Sequence, residues 1–291
     1  MSPKSEALPS LSMVIVAFGM ERELPRTLHS LSPAMQRGIE PGDYELIAVD
    51  NGSVPPLEPV TAPGSIKTTW LRIDDAPPSP AAAVNLGIES ARADLVGVMV
   101  DGARLASPGL LRNALLASRL DERALVITLG FHLGWEPQQR SVAAGYDADA
   151  EDKLLAESGW LEDGYRLFDI SAWAESSEGG WAGLPAESNA LFMRRAMWHE
   201  LGGMDEAFAI PGGGLVNLDL LARACELPGV HPVILLGEGT FHQVHGGVST
   251  NSLSRRWEEY HAEYLRLRGK EYARPAYEPT YLGTRLPPAP F

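Results

Sequence analysis

Cysteine is almost missing from this chain: Cys225 stands alone among 291 residues. That excludes an internal disulfide framework and the multi-cysteine zinc sites. Cys225 sits inside the apolar helical pattern LDLLARACEL, where a buried structural thiol is expected rather than a nucleophile. Long apolar runs are missing too. None approaches the ~20 residues of a membrane-spanning helix, so no transmembrane segment is expected, and no basic amphipathic helix suggests a membrane surface. The N-terminal MSPKSEALPS lacks the apolar core of a secretory leader, so a cytoplasmic location is expected. Positive charge is in deficit, with 24 Lys and Arg against 38 Asp and Glu and a net charge of −14. A nucleic-acid partner is therefore not expected, because such proteins present a basic face. An anionic ligand would need local help from a metal, an arginine or backbone N–H groups.

What remains is an ordinary globular composition, 45% hydrophobic and 21% charged, able to bury a sizeable core. Leu11–Phe18, Tyr44–Val49, Ile66–Ile73, Leu95–Val100 and Ala124–Leu133 read as strands by length and β-branched content. Helical patterns fall between them: ERELPRTLHSLSPAM, with Leu24, Leu28 and Leu31 on one face, then AAAVNLGIESARAD, then a helix opened by Ser107-Pro108. This alternation predicts an α/β fold with a mostly parallel, doubly wound, Rossmann-like sheet.

From Gly134 to Gly183 the pattern loosens into an irregular subregion that contains Trp135, Trp160, Trp173 and Trp181. Long irregular stretches in compact domains are usually functional, and flat, amphipathic indole rings suit a ligand with an apolar face, so one or two of these tryptophans are expected at a bound ligand. DADAEDKLLAES predicts an amphipathic helix within it. Beyond it, the pattern predicts a strand over Ala186–Met193, helices over Arg194–Leu201 and 215–226, a strand over Val233–Leu236, a helix in RRWEEYHAEYLRLRGK and a draped Pro- and Tyr-rich tail.

Two strands end on aspartate: Asp50, followed by Asn51-Gly52-Ser53, and Asp101, followed by Gly102-Ala103-Arg104. Carboxyl ends of parallel strands share one edge, where open α/β sheets bind their ligands. Either aspartate alone would be a turn or helix cap. Together, with Phe18-Gly19 ending the first strand, they point to a nucleotide site.

Five segments in order then carry a family resemblance: VIVAFGMERELPRTLHSL, ELIAVDNGS, AAAVNLGIESARAD, the strand ending at Asp101-Gly102-Ala103, and GGMDEAF. The chain resembles the family 2 glycosyltransferases, inverting nucleotide-sugar enzymes of the GT-A fold, over roughly residues 11–245. The resemblance implies that Ala17, Phe18 and Glu21 line the base and ribose pocket, that Asp50 accepts a hydrogen bond from the base beside Asn51, that Asn85 lies near the sugar-nucleotide, and that Asp101 is the first acid of an Asp-x-Asp. It implies a divalent metal, Mn²⁺ or Mg²⁺, as cofactor.

The chain departs from that pattern twice. The second acid, usually the metal ligand, falls on Ala103, and one carboxylate holds a divalent cation poorly. His242 and His245, three residues apart, are candidates to complete the metal site with Asp101, though hydrogen-bonded structural histidines fit the same pattern. Arg104 could instead neutralise pyrophosphate directly. The usual position of the catalytic base falls on Asn217, which cannot accept a proton at neutral pH, leaving Asp219 or Glu187 as the base.

The expected organisation is one domain over 11–250, with a donor half at 11–133 and an acceptor half at 134–250, followed by a C-terminal helix and tail at 251–291. The expected activity moves a sugar from a nucleotide-diphosphate sugar, UDP favoured, to a saccharide or other hydroxyl acceptor with inversion. The alternative is a catalytically impaired, glycosyltransferase-like protein that binds nucleotide or sugar, for which Ala103 and Asn217 speak.

Overall fold

Every residue of the first strand, Leu11–Ala17 (β1), is buried, as expected of a parallel strand covered on both faces. Val14 and Val16 enter one core layer, and Met13 and Ile15 the other, because successive side chains alternate across a sheet. The computed structural model describes residues 8–60, 64, 66–245 and 255–283. Parts of the expected N-terminal tail, the end of the 11–250 domain and the last part of the C-terminal tail lie outside these residues.

After β1 come α1 (Glu23–Ser30), β2 (Tyr44–Asp50), β3 (Thr68–Arg72), α2 (Ala81–Ser90), β4 (Leu95–Met99), β5 (Arg104–Ala106), α3 (Leu110–Ala117) and β6 (Ala124–Leu133). The irregular region holds α4 (Gln138–Ala143), α5 (Ala148–Ser158) and β7 (Ser171–Trp173), joined by short 3₁₀ turns. Then follow β8 (Leu191–Arg194), α6 (Arg195–Leu201), α7 (Val216–Cys225), β9 (His231–His242), α8 (Arg255–Arg268) and β10 (Thr280–Gly283). The strands form one ten-stranded sheet in the order β10-β9-β6-β8-β4-β1-β2-β3, with β5 on β9 and β7 on β6. Pairings among β1, β2, β3 and β4, and among β6, β9 and β10, are parallel. β8 runs antiparallel between β4 and β6. The sheet is thus mostly parallel, as expected. Among the described residues, no helix is long and apolar enough to cross a membrane.

Several expected boundaries move. The strand placed at Ala186–Met193 starts only at Leu191, because the side chains of Glu187, Ser188 and Asn189 are spent on hydrogen bonds at the sheet edge. The strand placed at Val233–Leu236 continues to His242. Its Gly237-Glu238-Gly239 looked like a turn, but it is a bulge: pairing with β6 jumps from Ile127↔Ile234 to Leu129↔Gly239, and Gly237 adopts φ 76°, a left-handed conformation suited to glycine. The bulge turns Glu238 inward, where Ser107 Oγ, Gly109 N, Asn113 Nδ2 and Tyr165 Oη all donate to its carboxylate. The tail expected to be draped instead adds β10 to the sheet beside β9.

Most of the tryptophans belong to the core. Trp160 is buried edge-on to His29, and Trp173 and Trp181 pack with Phe131. Trp135 alone of the four is exposed, at 59%. Cys225 is partly buried, and burial pushes its thiol up to about 12.

Candidate functional site

Because β1, β2, β4, β6 and β9 share one direction, the segments that follow them meet at one edge: Ala17, Asp50, Asp101, His132 and His242 all lie there. The antiparallel β8 begins at this edge, so Glu187 and Asn189, which precede it, belong to the same edge.

Close packing locks Asp101 to the end of β1. A Cβ on Gly102 would sit 2.9 Å from both the Ala17 Cβ and the Val16 carbonyl oxygen, so only glycine fits between these chain segments. Thr27 Oγ1 donates to the Gly102 carbonyl at 2.6 Å. Ala103 N–H then closes a turn onto Asp101 Oδ1 at 3.0 Å, leaving Oδ2 to face the site.

Three strands bring the other polar groups to Oδ2. In the sheet register Arg104 on β5 pairs with His242 on β9, which pairs with His132 on β6. Alternation then sends the neighbouring Leu105, Phe241 and Phe131 into the core and the charged row to the site. Past the strand end, Gln243 N–H donates to the Ala103 carbonyl at 2.8 Å, folding His245 back beside His242. The His242 Nε2 lies 2.7 Å from Asp101 Oδ2, and the His245 Nε2 lies 3.7 Å from it. The two Nε2 atoms are 3.2 Å apart, and all three potential ligand atoms fall within 4.8 Å of one another. Arg104 Nε is 3.6 Å from Asp101 Oδ2.

Burial and the facing charges shift the ionisable groups of this cluster. Burial would raise the Asp101 pKa, but the facing His242 and His245 hold it well below the usual carboxylate range. Burial lowers His242 to about 4 despite Asp101, and burial, with His242 and Arg104 nearby, lowers His132 strongly. His245 moves the other way, because Asp101 outweighs its burial. Burial disfavours the charged form of His242. Its Nδ1 faces the side-chain carbonyl of Gln138, and the Gln138 backbone N–H donates to His132 Nδ1 at 2.8 Å. With the proton on Nε2 the ring donates to Asp101; with it on Nδ1 the Nε2 lone pair is offered beside the carboxylate. The second form, whose far nitrogen donates to a carbonyl, is the usual arrangement of a metal-binding histidine. The residues present thus fit a divalent cation.

Arg104 is buried, and its Nε and Nη1 have no hydrogen-bond partner. Burial lowers its pKa, with Asp101 and Glu187 opposing, which also places Glu187 within electrostatic reach. A buried guanidinium with unused donors is costly unless an anion completes it.

The residues expected around a nucleotide lie at the ends of β1 and β2 on the same sheet edge. Ala17 is buried and Phe18 is 62% exposed at the end of β1, while Glu21 is exposed. Asn51 N–H donates to the Ala17 carbonyl at 2.9 Å, and Gly19 N–H to Ser53 Oγ at 2.8 Å. Asp50 is almost fully occupied from within: Oδ1 accepts Ser53 N–H at 2.9 Å, and Oδ2 accepts Leu57 N–H at 3.1 Å and a guanidinium N–H of Arg72. These bonds overcome its burial and lower its pKa.

Two expected residues do not join the site. The Asn85 amide is used on the turn after α6, accepting from Met204 N–H at 2.9 Å and donating to the Met204 carbonyl and Glu206. It ties α2 to that turn and borders a cleft of about 350 Å³ with Met204, Glu206, Arg223 and Arg268, so the expected contact with a sugar-nucleotide gives way to a structural one. Asp219 is completely buried and ion-paired to Arg223 at 2.7 Å and to Arg268 at 2.5 Å. A fully buried carboxylate whose oxygens are taken by two guanidiniums has no free face for an acceptor hydroxyl, so its place in the fold favours a structural role over that of the base. Glu187 is only partly buried. Asn189 Nδ2 donates to its Oε1 at 3.1 Å and Asn217 Nδ2 to its Oε2 at 2.9 Å.

His132, Gln138 and Asn189 were not among the expected site residues. A matched signal was available: the dipeptide Phe-His closes both apolar strands, at 131–132 and 241–242, and one in-register pair would put both imidazoles on the polar face.

No protein-family model and no curated protein sequence matches the chain. Solved structures do. The crystal structure of S. aureus TarS superposes with a TM-score of 0.53 at 10% identity, covering 80% of this chain and 36% of TarS. The crystal structure of S. aureus TarS 1-349 in complex with UDP-GlcNAc superposes with a TM-score of 0.54 at 12% identity, covering 88% of this chain and 66% of that one. The chain thus spans between about a third and two thirds of the structures it matches. With this sheet order and these neighbours, the chain has the GT-A fold of the glycosyltransferases.

Proposed function

We propose that the chain is an inverting, family 2-like glycosyltransferase, acting in the cytoplasm, that moves a sugar from a UDP-sugar to a saccharide or other hydroxyl acceptor. The observation that carries this reading is the convergence of Asp101, His242 and His245 beside Arg104, whose Nε and Nη1 have no hydrogen-bond partner, on the ligand-binding edge of a GT-A sheet. That the TarS structure was obtained with UDP-GlcNAc supports a UDP-sugar donor. Residues 11–133 form the donor half in this reading and 134–250 the acceptor half.

Asp101, His242 and His245 would hold the metal. Two imidazoles favour Mn²⁺ over the strictly oxygen-seeking Mg²⁺. When bound, a divalent cation supplies positive charge against a departing nucleoside diphosphate. Arg104 would donate from Nε and Nη1 to a phosphate oxygen, taking over part of the neutralisation that a second aspartate at position 103 would have organised. Phe18 and Glu21 would flank the base and ribose, with Asn51 held against Ala17 as the floor. Asp50 would shape this pocket by fixing residues 53–57, keeping little capacity for the base itself.

Glu187 would take the acceptor proton. As the acceptor oxygen bonds to the anomeric carbon, the bond from that carbon to the phosphate oxygen breaks and the hydroxyl proton passes to a Glu187 carboxylate oxygen. Asn189 and Asn217 each use one lone pair of that carboxylate and leave others free. Asn217, which cannot itself serve as base, thereby keeps a part in catalysis by aiming one.

Calorimetry with UDP and UDP-sugars, with and without Mn²⁺, tests the donor site, and no binding of any nucleotide would sink the proposal. Donor hydrolysis lost in Asp101→Ala separates an enzyme from an inert nucleotide-binding relative, which would bind UDP without turning it over.

A further inference from the structure

Val244, the residue between Gln243 and the second histidine, is held by neither the sheet nor a turn. Its N–H donates to Glu151 Oε2 at 2.6 Å, and its carbonyl accepts from Arg22 Nη2 at 2.7 Å. Arg22 Nη2 also donates to Glu151 Oε1 at 2.8 Å, closing a ring of three groups around the backbone of one residue. The remaining donors of Arg22 reach Glu23, the Ala148 carbonyl and Asp152. Glu151 is fully buried, and a buried carboxylate persists only with such partners. The geometry joins three separate parts of the chain. Arg22 belongs to the loop between β1 and α1, beside Phe18 and Glu21. Glu151 belongs to α5, in the irregular region. Val244 leads into His245.

We infer that Arg22 and Glu151 are positioning residues for His245, so that metal capture depends on the docking of α5 against the β1–α1 loop. This rests on the metal reading above. His242 is fixed by β9, by its pairing with Arg104 and by Gln138, whereas His245 lies beyond the strand. Its side chain meets Asp101 only while the preceding residue is held, and the Arg22–Glu151 pair holds both the N–H and the C=O of Val244, one from each of the two peptide groups that flank it. A planar, five-donor guanidinium can reach the Val244 carbonyl, the Glu151 carboxylate and the backbone of α5 at once, which a lysine ammonium cannot. The same ring couples the two halves of the site. A ligand that orders the β1–α1 loop would steady Arg22 and, through it, a metal ligand on the far strand.

The test is Mn²⁺ titration by calorimetry of the wild-type chain, Arg22→Lys, Glu151→Gln, His245→Ala and the double variant Arg22→Lys/His245→Ala, with circular dichroism to verify folding. Removing a group that orients a metal ligand typically weakens affinity about 10–100-fold, and a loss in that range is expected for Arg22→Lys. A smaller loss is expected for Glu151→Gln, whose amide oxygen still accepts from Val244. In the His245→Ala background Arg22→Lys should have no further effect, because its route to the metal is gone. A purely structural role would weaken binding equally in both backgrounds, and that result would overturn the inference, as would folded Arg22→Lys and Glu151→Gln chains with undiminished Mn²⁺ affinity. Should His245→Ala bind Mn²⁺ as the wild type does, the ligand set proposed above falls first, and this inference with it.

Discussion

The Nε2 of His242 stands 2.7 Å from Asp101 Oδ2, and its Nδ1 faces the side-chain oxygen of Gln138 on the other side of the ring. With the proton on Nδ1 the pair offers an imidazole and a carboxylate to one cation, and in our reading His242 and His245 stand in for the second acid missing at Ala103.

The first prediction follows from that donor set. The chain should bind Mn²⁺ more tightly than Mg²⁺, since nitrogen ligands suit the former better. His242→Ala should lose Mn²⁺ binding, and Gln138→Ala, which frees the far nitrogen, should weaken it about 10–100-fold. Isothermal titration checks both. Equal affinity for the two ions, or full affinity in His242→Ala, would count against the site.

Arg104 carries the second prediction. Its Nε lies 3.6 Å from Asp101 Oδ2, so it competes electrostatically with a metal while offering donors to a phosphate. Arg104→Met should weaken UDP binding by at least about tenfold, the scale of one lost charge-assisted hydrogen bond. It should leave Mn²⁺ binding intact or tighter. A salt series on UDP binding should be flatter in the variant, because a guanidinium–phosphate contact has been removed. Parallel loss of both ligands would show only a damaged fold.

The third prediction concerns pH. Burial raises the Glu151 pKa from its ordinary 4.5 to about 7, against the opposing pull of Val244 N–H, Arg22 and Arg26. Tyr146 and Asp152 also face it. A carboxyl whose pKa is higher folded than unfolded favours the fold when protonated, so its contribution is fully present below pH 4.5 and is lost as pH rises through 7. The shift corresponds to roughly 3 kcal/mol. Glu151→Gln has no such titration. The stability difference, wild type minus variant, should therefore fall by about that amount between pH 4.5 and 8. Denaturant melts at a series of pH values measure it, and a flat difference would contradict the shifted pKa.

These side chains show which parts of the architecture could be read before folding. The buried strands declared themselves through unbroken apolar runs such as Leu95–Val100, and the edge they share followed from parallel pairing alone. That brought Asp50, Asp101 and the two late histidines into view. The bulge at Gly237–Gly239 hid behind residues that usually mark turns, because its stability comes from four distant donors to Glu238. Arg22 and Glu151 were silent for a similar reason. They lie 129 positions apart in the chain, and no local pattern reports a buried ion pair. Asp219 misled in the opposite sense. A lone carboxylate on a helix beside a glycine-rich turn resembles a base until Arg223 and, from α8, Arg268 are seen to enclose it.

That enclosure separates the two candidate bases by experiment. Asp219 accepts from Arg223 at Nε and from Arg268 at Nε and Nη2, and Arg223 in turn donates to the Leu201 and Gly203 carbonyls. Asp219→Asn removes the carboxylate shared by two partly buried guanidiniums, leaving Arg268 its pair with Asp205 at 2.8 Å but Arg223 without an ion-pair partner among the described residues, a change of the kind that costs about 3–5 kcal/mol when a buried pair is broken. Thermal melts should show this loss, while the folded fraction should keep its turnover number. Glu187→Gln should do the reverse. It keeps an oxygen for one asparagine donor at a partly exposed position, so stability should move little, and turnover should fall by about 10²–10⁴. The two variants therefore separate the roles in opposite directions. If turnover of the folded chain instead falls with Asp219→Asn and survives Glu187→Gln, the proton leaves by a route through α7, and the assignment of Glu187 is wrong.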